Sequence, residues 1–250
     1  MNKVDIIILS LVNDDKSFEV TKRCIDSYIN TADELINKIF VIETNKDFKK
    51  LNKNYGQNKV RLHIPPHEFN YNQFFNIGLS LCEAEYVMGP NNDLVIQENC
   101  IQNIVKEFET NPDIDSISPI DREWHRHTKL YFPDDNKLYY GYETSLHLFG
   151  CVFAARRKKV FETIGYLDER FYFFYQDNDY SMCLVRTGLR HGALTSARVK
   201  HKVGGTSAHG SARTEYTPEN MNIQGDLLGQ KWGKEDPFRT GGFKQFAPYV

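Results

Sequence analysis

The chain alternates between apolar runs of strand length and stretches whose apolar residues recur at helical spacing. Residues 4–12 form a near-continuous apolar run of β-branched type, interrupted by Asp5. Such a run lacks the in-out alternation of a one-sided strand, so it predicts a strand buried on both faces of a parallel sheet. Residues 16–30 then place Val20, Cys24, Ile25 and Tyr28 at helical spacing, with Asp14 or Asp15 available as the cap. A second buried strand is predicted over 39–43, a polar helix over 47–53, and a third strand over 60–64 closed by Pro65 and Pro66. Residues 71–82 carry Phe74, Phe75, Gly78, Leu79 and Cys82 on one helical face, and 86–88 follow as a central strand. Three strand-helix repeats predict an α/β fold with a right-handed, doubly wound, mostly parallel sheet in the first ~110 residues.

The second half is less periodic. A helix over 99–110 and a strand over 114–118 ending at Pro119 continue the pattern. Residues 121–142 are polar, aromatic and turn-rich, with Asp134-Asp135 after Pro133, and predict an exposed loop or hairpin able to shape a substrate site. An apolar strand is expected over 145–155 around Gly150, a short helix over 156–164, and a helix over 176–187 ended by Gly188. The aromatic run Phe171-Tyr172-Phe173-Phe174-Tyr175 reads as a buried strand, or else as rings that stack on a sugar or base. A last helix spans about 221–232, followed by a Gly- and Pro-containing tail. The chain has no internal repeat, no low-complexity stretch and no clear linker, and one domain with a small appendage is expected.

Composition narrows the class. A chain of 250 residues can bury a core that needs no disulfide or metal to fold. Its 31 basic and 33 acidic residues leave a net charge of -2, so no global field draws it to nucleic acid or an anionic membrane. A local basic patch is compatible with that balance. Cys24, Cys82, Cys100, Cys151 and Cys183 are odd in number, far apart and without a Cys-x-x-Cys pair, which predicts reduced, core-filling thiols and a cytoplasmic setting. The apolar start, followed by Asn13, Asp14 and Asp15, is too short and too polar in its flanks for a signal peptide or membrane span.

Candidate chemistry concentrates where the 86–88 strand runs into Asn91-Asn92-Asp93. In an open α/β sheet, ligands sit beyond the carboxyl ends of the strands, so these residues can present oxygen ligands to a divalent cation or contact a phosphate. Alternate residues of an extended segment point the same way, which sets Asn91 and Asp93 toward one site and turns Asn92 aside. The same residue types also populate ordinary turns.

Several separated segments then agree in order. They are Asp5-Ile6-Ile7-Ile8, Val41-Ile42-Glu43, Asn76-Ile77-Gly78, Asn91-Asn92-Asp93, Gly150-Cys151-Val152-Phe153, Ile164-Gly165-Tyr166-Leu167-Asp168-Glu169, Gln176-Asp177-Asn178-Asp179 and His201-Lys202-Val203-Gly204-Gly205-Thr206-Ser207. In this ordered set the chain resembles the family 2 inverting glycosyltransferases of the GT-A fold, especially the bacterial rhamnosyltransferase-like branch. The resemblance implies a Rossmann-like nucleotide-sugar-binding half over 1–110, an acceptor and catalytic half over 111–215, and a C-terminal helix and tail over 216–250. It implies a metal-dependent transfer of sugar from a UDP- or dTDP-sugar to an acceptor hydroxyl on a saccharide or glycoconjugate. Mn²⁺ or Mg²⁺ would neutralise the leaving pyrophosphate. By this resemblance Asp93 and His201 are the metal ligands, and Asn13, Glu43, Asn76, Asn91 and Asn92 contact the donor nucleotide sugar. Asp177 is the general base, a carboxylate within reach of the attacking hydroxyl. The chain has Gln176-Asp177 where the family usually has Glu-Asp, and Glu43 where Asp is commoner.

Other features read more plainly. Trp124-His125-Arg126-His127 has no Cys or acidic partner at finger spacing and reads as a solvated loop. Arg156-Arg157-Lys158-Lys159 reads as an exposed helix face open to the phosphates of a charged acceptor. Asp177 and Asp179 also suit a helix N-terminus, where they would cap and face the dipole. Two other functions stand beside saccharide transfer. One is glycosylation of a modified base in DNA, which needs extrusion of that base. The other is a non-catalytic nucleotide-sugar-binding module, hinted at by Gln176.

Overall fold

The computed structural model describes residues 2–127, 132–201 and 217–233. Strand β1 (Val4–Ser10) is buried along its whole length, as its apolar run requires. Helix α1 (Asp15–Ala32) starts at a capping box: the Asp14 carboxylate accepts from the Ser17 N–H at 2.7 Å, and the Ser17 hydroxyl accepts from the Asp14 N–H at 3.1 Å. Strands β2 (Ile36–Glu43) and β3 (Val60–His63) follow. The polar helix expected between them is a single 3-10 turn, Phe48–Leu51, ended by Asn52 in the left-handed conformation. That segment has only Phe48 and Leu51 to bury, three residues apart, which is one turn's worth of apolar surface.

Helix α2 (Tyr71–Leu81) begins where the Asn70 side chain accepts from the Gln73 N–H at 3.0 Å. Strand β4 (Tyr86–Pro90) then pairs in parallel with the free side of β1, so the first four strands run β3-β2-β1-β4. Because side chains alternate across a strand, Ile6 and Ile8 pack with Cys24, Ile25 and Tyr28 on one face of the sheet. Ile7 and Leu9 pack with Phe74, Phe75 and Leu79 on the other. The winding reverses between β1 and β4, whose ends are joined by a bridge between Leu9 and Asn91. That reversal is the point where such sheets hold ligands.

The chain continues through β5 (Leu94–Ile96), α3 (Cys100–Thr110), β6 (Ser116–Ile120), α4 (Arg122–His127), β7 (Leu138–Tyr140), β8 (Val152–Arg156), α5 (Arg157–Ile164), α6 (Gln176–Thr187), β9 (His191–His201) and α7 (Pro218–Trp232). The full sheet order is β3-β2-β1-β4-β8-β6-β9-β5, with β7 also on β9. Strands β1, β2, β3, β4, β6 and β9 run one way, and β5, β7 and β8 run the other. The mostly parallel, doubly wound sheet expected from the pattern is therefore present, extended by a mixed second half.

Several expectations are corrected. Strand β6 does not stop at Pro119: β8 pairs with it only at Ser116 and Ile117, so the missing N–H of Pro119 is not demanded by β8. The strand expected over 145–155 begins only at Val152. The 121–142 segment is not simply a loop, since α4 and β7 lie within it. Residues 171–175 are not a strand; the Phe173 and Phe174 N–H groups donate to Gln224 Oε1 at 2.9 and 3.0 Å, and Tyr175 turns left-handed at φ 60. Strand β9 went unforeseen because Gly192, Ala193 and Ala197 dilute its strand character. All five cysteines are free. Among the described residues, no helix is long and apolar enough to cross a membrane.

Candidate active site

A cavity of about 320 Å³ opens beyond the ends of β1 and β4, bordered by Leu9, Pro90 and the Asn91-Asn92-Asp93 segment. The antiparallel pairing of β5 with β9 sets Leu94 opposite His201, which brings the residue before β5 onto the imidazole. Asp93 Oδ1 lies 3.1 Å from His201 Nε2, and both side chains are nearly buried. The end of β9 is held by Asp121, whose Oδ2 accepts from the His201 N–H at 2.6 Å. Cys151 Sγ lies 3.6 Å from His201 Nδ1. Burial alone would lower the His201 pKa, but the Asp93 carboxylate and the Cys151 sulfur outweigh it and raise the imidazole to about 10. The Asn91 N–H donates to the Cys151 carbonyl at 2.8 Å, tying this segment to the approach to β8. Asn92 borders the cavity too, and its Nδ2 donates to Thr21 Oγ1 of α1 at 3.0 Å.

A carboxylate enters the same cavity from another element. Asp177 is the second residue of α6, and it borders the cavity with Gln176 and Gly150. Burial pushes its carboxyl up from the usual carboxylate value, against the pull of the Asn178 N–H, which donates to Asp177 Oδ1 at 3.0 Å. Gly150 makes this seat possible, because any side chain at that position would meet Asp177. Beyond Asp177, Phe69, Phe173 and Phe174 line the cavity with aromatic surface.

Three residues with expected donor roles stand in the framework and not among the cavity-lining residues. Glu43 is fully buried, and its Oε1 accepts from the Val12 N–H at 3.0 Å and the Asn45 N–H at 2.8 Å, tying together the ends of β1 and β2. Asn13 is exposed at the start of α1, its N–H donating to Ser17 Oγ at 3.0 Å. Asn76 grips the turn at 165–169: its Oδ1 accepts from the Leu167 N–H and its Nδ2 donates to the Leu167 carbonyl, both at 2.9 Å.

Other motifs also prove structural. His125 is buried, with Nδ1 2.6 Å from the Asp121 carbonyl and Nε2 3.3 Å from that of Leu146, so it is not part of a solvated loop. Arg156 closes β8 and donates to the Ile114 carbonyl at 2.8 Å, and Arg157 donates to the Ala84 carbonyl at 2.7 Å. These guanidinium groups face backbone carbonyls and do not form the basic face expected from the sequence. Residues 202–207 of the late glycine-rich motif lie outside the described residues.

Sequence reading missed Asp121 and Gln224. Asp121 carried a signal: an Asp before a short helix is a cap pattern, and its Oδ1 does accept from the Glu123 and Trp124 N–H groups at 2.8 and 3.0 Å. Gln224, in the middle of α7, carried none.

The donor set at Asp93 and His201 fits a divalent cation. Asp93 Oδ1 is buried and its close partner is His201 Nε2 at 3.1 Å, so the pair shares one proton that a divalent cation would displace on binding. Among the described residues no group of three His, Cys, Asp or Glu side chains could hold a metal. One carboxylate and one imidazole leave the other positions to phosphate oxygens and water, the usual division for Mg²⁺ and Mn²⁺ in nucleotide sites.

Comparison with known proteins agrees with this architecture. The sequence matches the family described as Glycosyl transferase family 2 over residues 6–165. No curated protein matches it. The crystal structure of GalNAc-T7 with UDP, GalNAc and Mn²⁺ superposes with a TM-score of 0.72 at 15% identity, covering 95% of this chain and 50% of that one. The structure of residues 1–349 of S. aureus TarS superposes with a TM-score of 0.55 at 10% identity, covering 78% of this chain and 60% of that one. This chain therefore spans half to three-fifths of the solved chains it resembles, and at such identities the likeness establishes the fold. The sequence match runs from β1 through α5 and takes in both the β1–β4 crevice and Gly150. The chain belongs to glycosyl transferase family 2 and has the GT-A fold.

Proposed function

We propose that the protein is a metal-dependent, inverting glycosyltransferase that moves a sugar from a UDP- or dTDP-sugar to a hydroxyl of a saccharide or glycoconjugate. One observation carries the reading: a buried carboxylate, Asp177, opens into the same cavity as the Asp93–His201 pair. Direct displacement at an anomeric carbon needs those two functions at one place, a base for the incoming hydroxyl and a seat for the leaving diphosphate. A bound Mn²⁺ or Mg²⁺ would supply Lewis-acid stabilisation of the departing pyrophosphate from Asp93 and His201. Asp177 takes the proton of the acceptor hydroxyl, and its raised proton affinity suits that task. Residues 1–110 chiefly serve the donor and 111–215 chiefly the acceptor, with α7 bracing the second half.

The test is a panel of nucleotide sugars scored by nucleotide release, with and without Mn²⁺, followed by NMR of the product. Release that requires both the metal and an acceptor, with an inverted anomeric centre, is the expected result. A retained configuration would overturn the mechanism, and binding without release would favour the non-catalytic module.

A further inference from the structure

We propose that Phe69, Phe173 and Phe174 form an acceptor subsite that takes the apolar face of a pyranose ring, and that Gln224 is the positioning residue that holds it. This rests on the glycosyl-transfer reading of the cavity. The Phe69 and Phe173 rings stand 6.3 Å apart at 70°, and Phe173 and Phe174 stand 5.0 Å apart at 82°. The three rings therefore form a corner, offering faces and edges in place of a flat stack. A pyranose has one face of C–H groups and a rim of hydroxyls, and the negative face of an aromatic ring attracts those C–H groups while apolar surface leaves water. A diphosphate finds no donor on these rings, so the anionic part of a donor belongs with Asp93 and His201. Phe174 precedes Asp177 by three residues, so the loop that carries the corner also leads into the base.

The corner is held from two sides. The Tyr71 N–H at the start of α2 donates to the Tyr172 carbonyl at 2.7 Å. From α7, the fully buried Gln224 presents one oxygen to both the Phe173 and Phe174 N–H groups, at 2.9 and 3.0 Å. Helix α7 is itself anchored: Lys231 donates to Asp168 and Asp179 at 2.9 and 3.0 Å, and Trp232 Nε1 donates to Asp179 at 2.7 Å. Without the Gln224 oxygen, two half-buried backbone donors lose their partner and the loop has no reason to keep both rings toward the cavity.

Kinetics on methyl pyranosides of glucose, galactose and N-acetylglucosamine, with glycerol as a ringless control, would test this. Phe173→Ala and Gln224→Met should each raise the acceptor KM about tenfold, with a smaller effect on kcat. Gln224→Glu keeps an oxygen for both N–H groups and should return KM to within about twofold of the parent. The affinity for UDP with Mn²⁺, read by calorimetry, should stay within about twofold in all three variants, and circular dichroism guards against misfolding. An unchanged acceptor KM in Phe173→Ala, no response to any pyranoside, or equal loss of UDP affinity would each overturn the subsite. Failure of the parent protein to bind either UDP or dTDP with Mn²⁺, or to release nucleotide from any UDP- or dTDP-sugar, would instead overturn the transferase reading itself.

Discussion

Gly150 and Asp177 share one space: a Cβ on residue 150 would press into Asp177 Oδ2, with Cγ at 3.1 Å and the Asp177 Cβ at 3.3 Å. An aspartate side chain is too short to step around such an obstacle while keeping its seat. Gly150→Ala is therefore expected to displace the proposed base and lower kcat by on the order of tenfold or more, since small misplacements at a reacting centre are costly. Affinity for UDP should be unaffected. Steady-state kinetics beside UDP calorimetry check this, and a parent kcat would mean that the displaced carboxylate still works.

Asp93→Ala removes the carboxylate of the proposed metal pair while leaving the β5–β9 ladder in place. UDP affinity in the presence of Mn²⁺ should fall by at least the roughly 10–100-fold that loss of a mere outer-shell partner costs elsewhere. His201→Ala should cost less, because one carboxylate and the phosphates persist as ligands. Titration of UDP with and without Mn²⁺ reads both. Equal metal-dependent affinity in Asp93→Ala and the parent would remove Asp93 from the site.

Asp177→Asn keeps the size of the side chain and abolishes its basicity. The kcat should fall by on the order of 10²-fold or more, with donor binding retained. The parent has a further signature in its pH profile. Because burial raises the Asp177 pKa, activity should be lost on acidification at a pH above that of an ordinary carboxylate. Transfer at the parent rate by Asp177→Asn would assign the proton to another group.

Two buried histidines predict the acid sensitivity of the fold. His191 is fully buried between Ser116 Oγ, 2.9 Å from Nδ1, and the His147 carbonyl, 3.1 Å from Nε2. A neutral ring that donates through Nε2 and accepts at Nδ1 from the Ser116 hydroxyl satisfies both partners, and Tyr180 in turn donates to Ser116 at 3.0 Å. Burial lowers His191 to about 3 and His147 to about 4. Both folded values lie below the unfolded value near 6.5, so the unfolded chain binds these protons first. Stability is full above pH ~6.5 and is lost as pH falls toward about 4, at up to roughly 1.4 kcal/mol per pH unit for each histidine. Urea melts between pH 4 and 7 measure it. His191→Gln should flatten the slope, and an unchanged slope would assign the acid loss to other groups.

The first half was legible because its apolar runs report burial directly. A strand such as β1, apolar at nearly every position, has few environments other than the middle of a parallel sheet. The Asp14 cap and the α2 face were equally plain. The second half hid its order because its elements are held by side chains from far along the sequence. Gln224 holds the aromatic loop and Asp121 the end of β9, and no local periodicity records such partners. The candidate site divides in the same way. Asp93 and Asp177 ended or opened recognisable elements, whereas Glu43 and Asn76 have the right chemistry for a ligand and use it on backbone amides.

Strand β9 works as a ruler as well as a strand. Its early residues pair with β6 and β7, its last three with β5, and His201 falls opposite Leu94 only if the count between them is kept. Removing one residue from 198–200, beyond the register shift that separates the Leu194 and Arg198 pairings with β6, leaves the strand two choices. It can hold its first pairings and present the wrong neighbour to Asp93, or hold His201 and turn a buried face outward, since side chains alternate with a period of two. A change of chain length here thus does more damage than most changes of side chain, because no nearby contact can restore an inverted face.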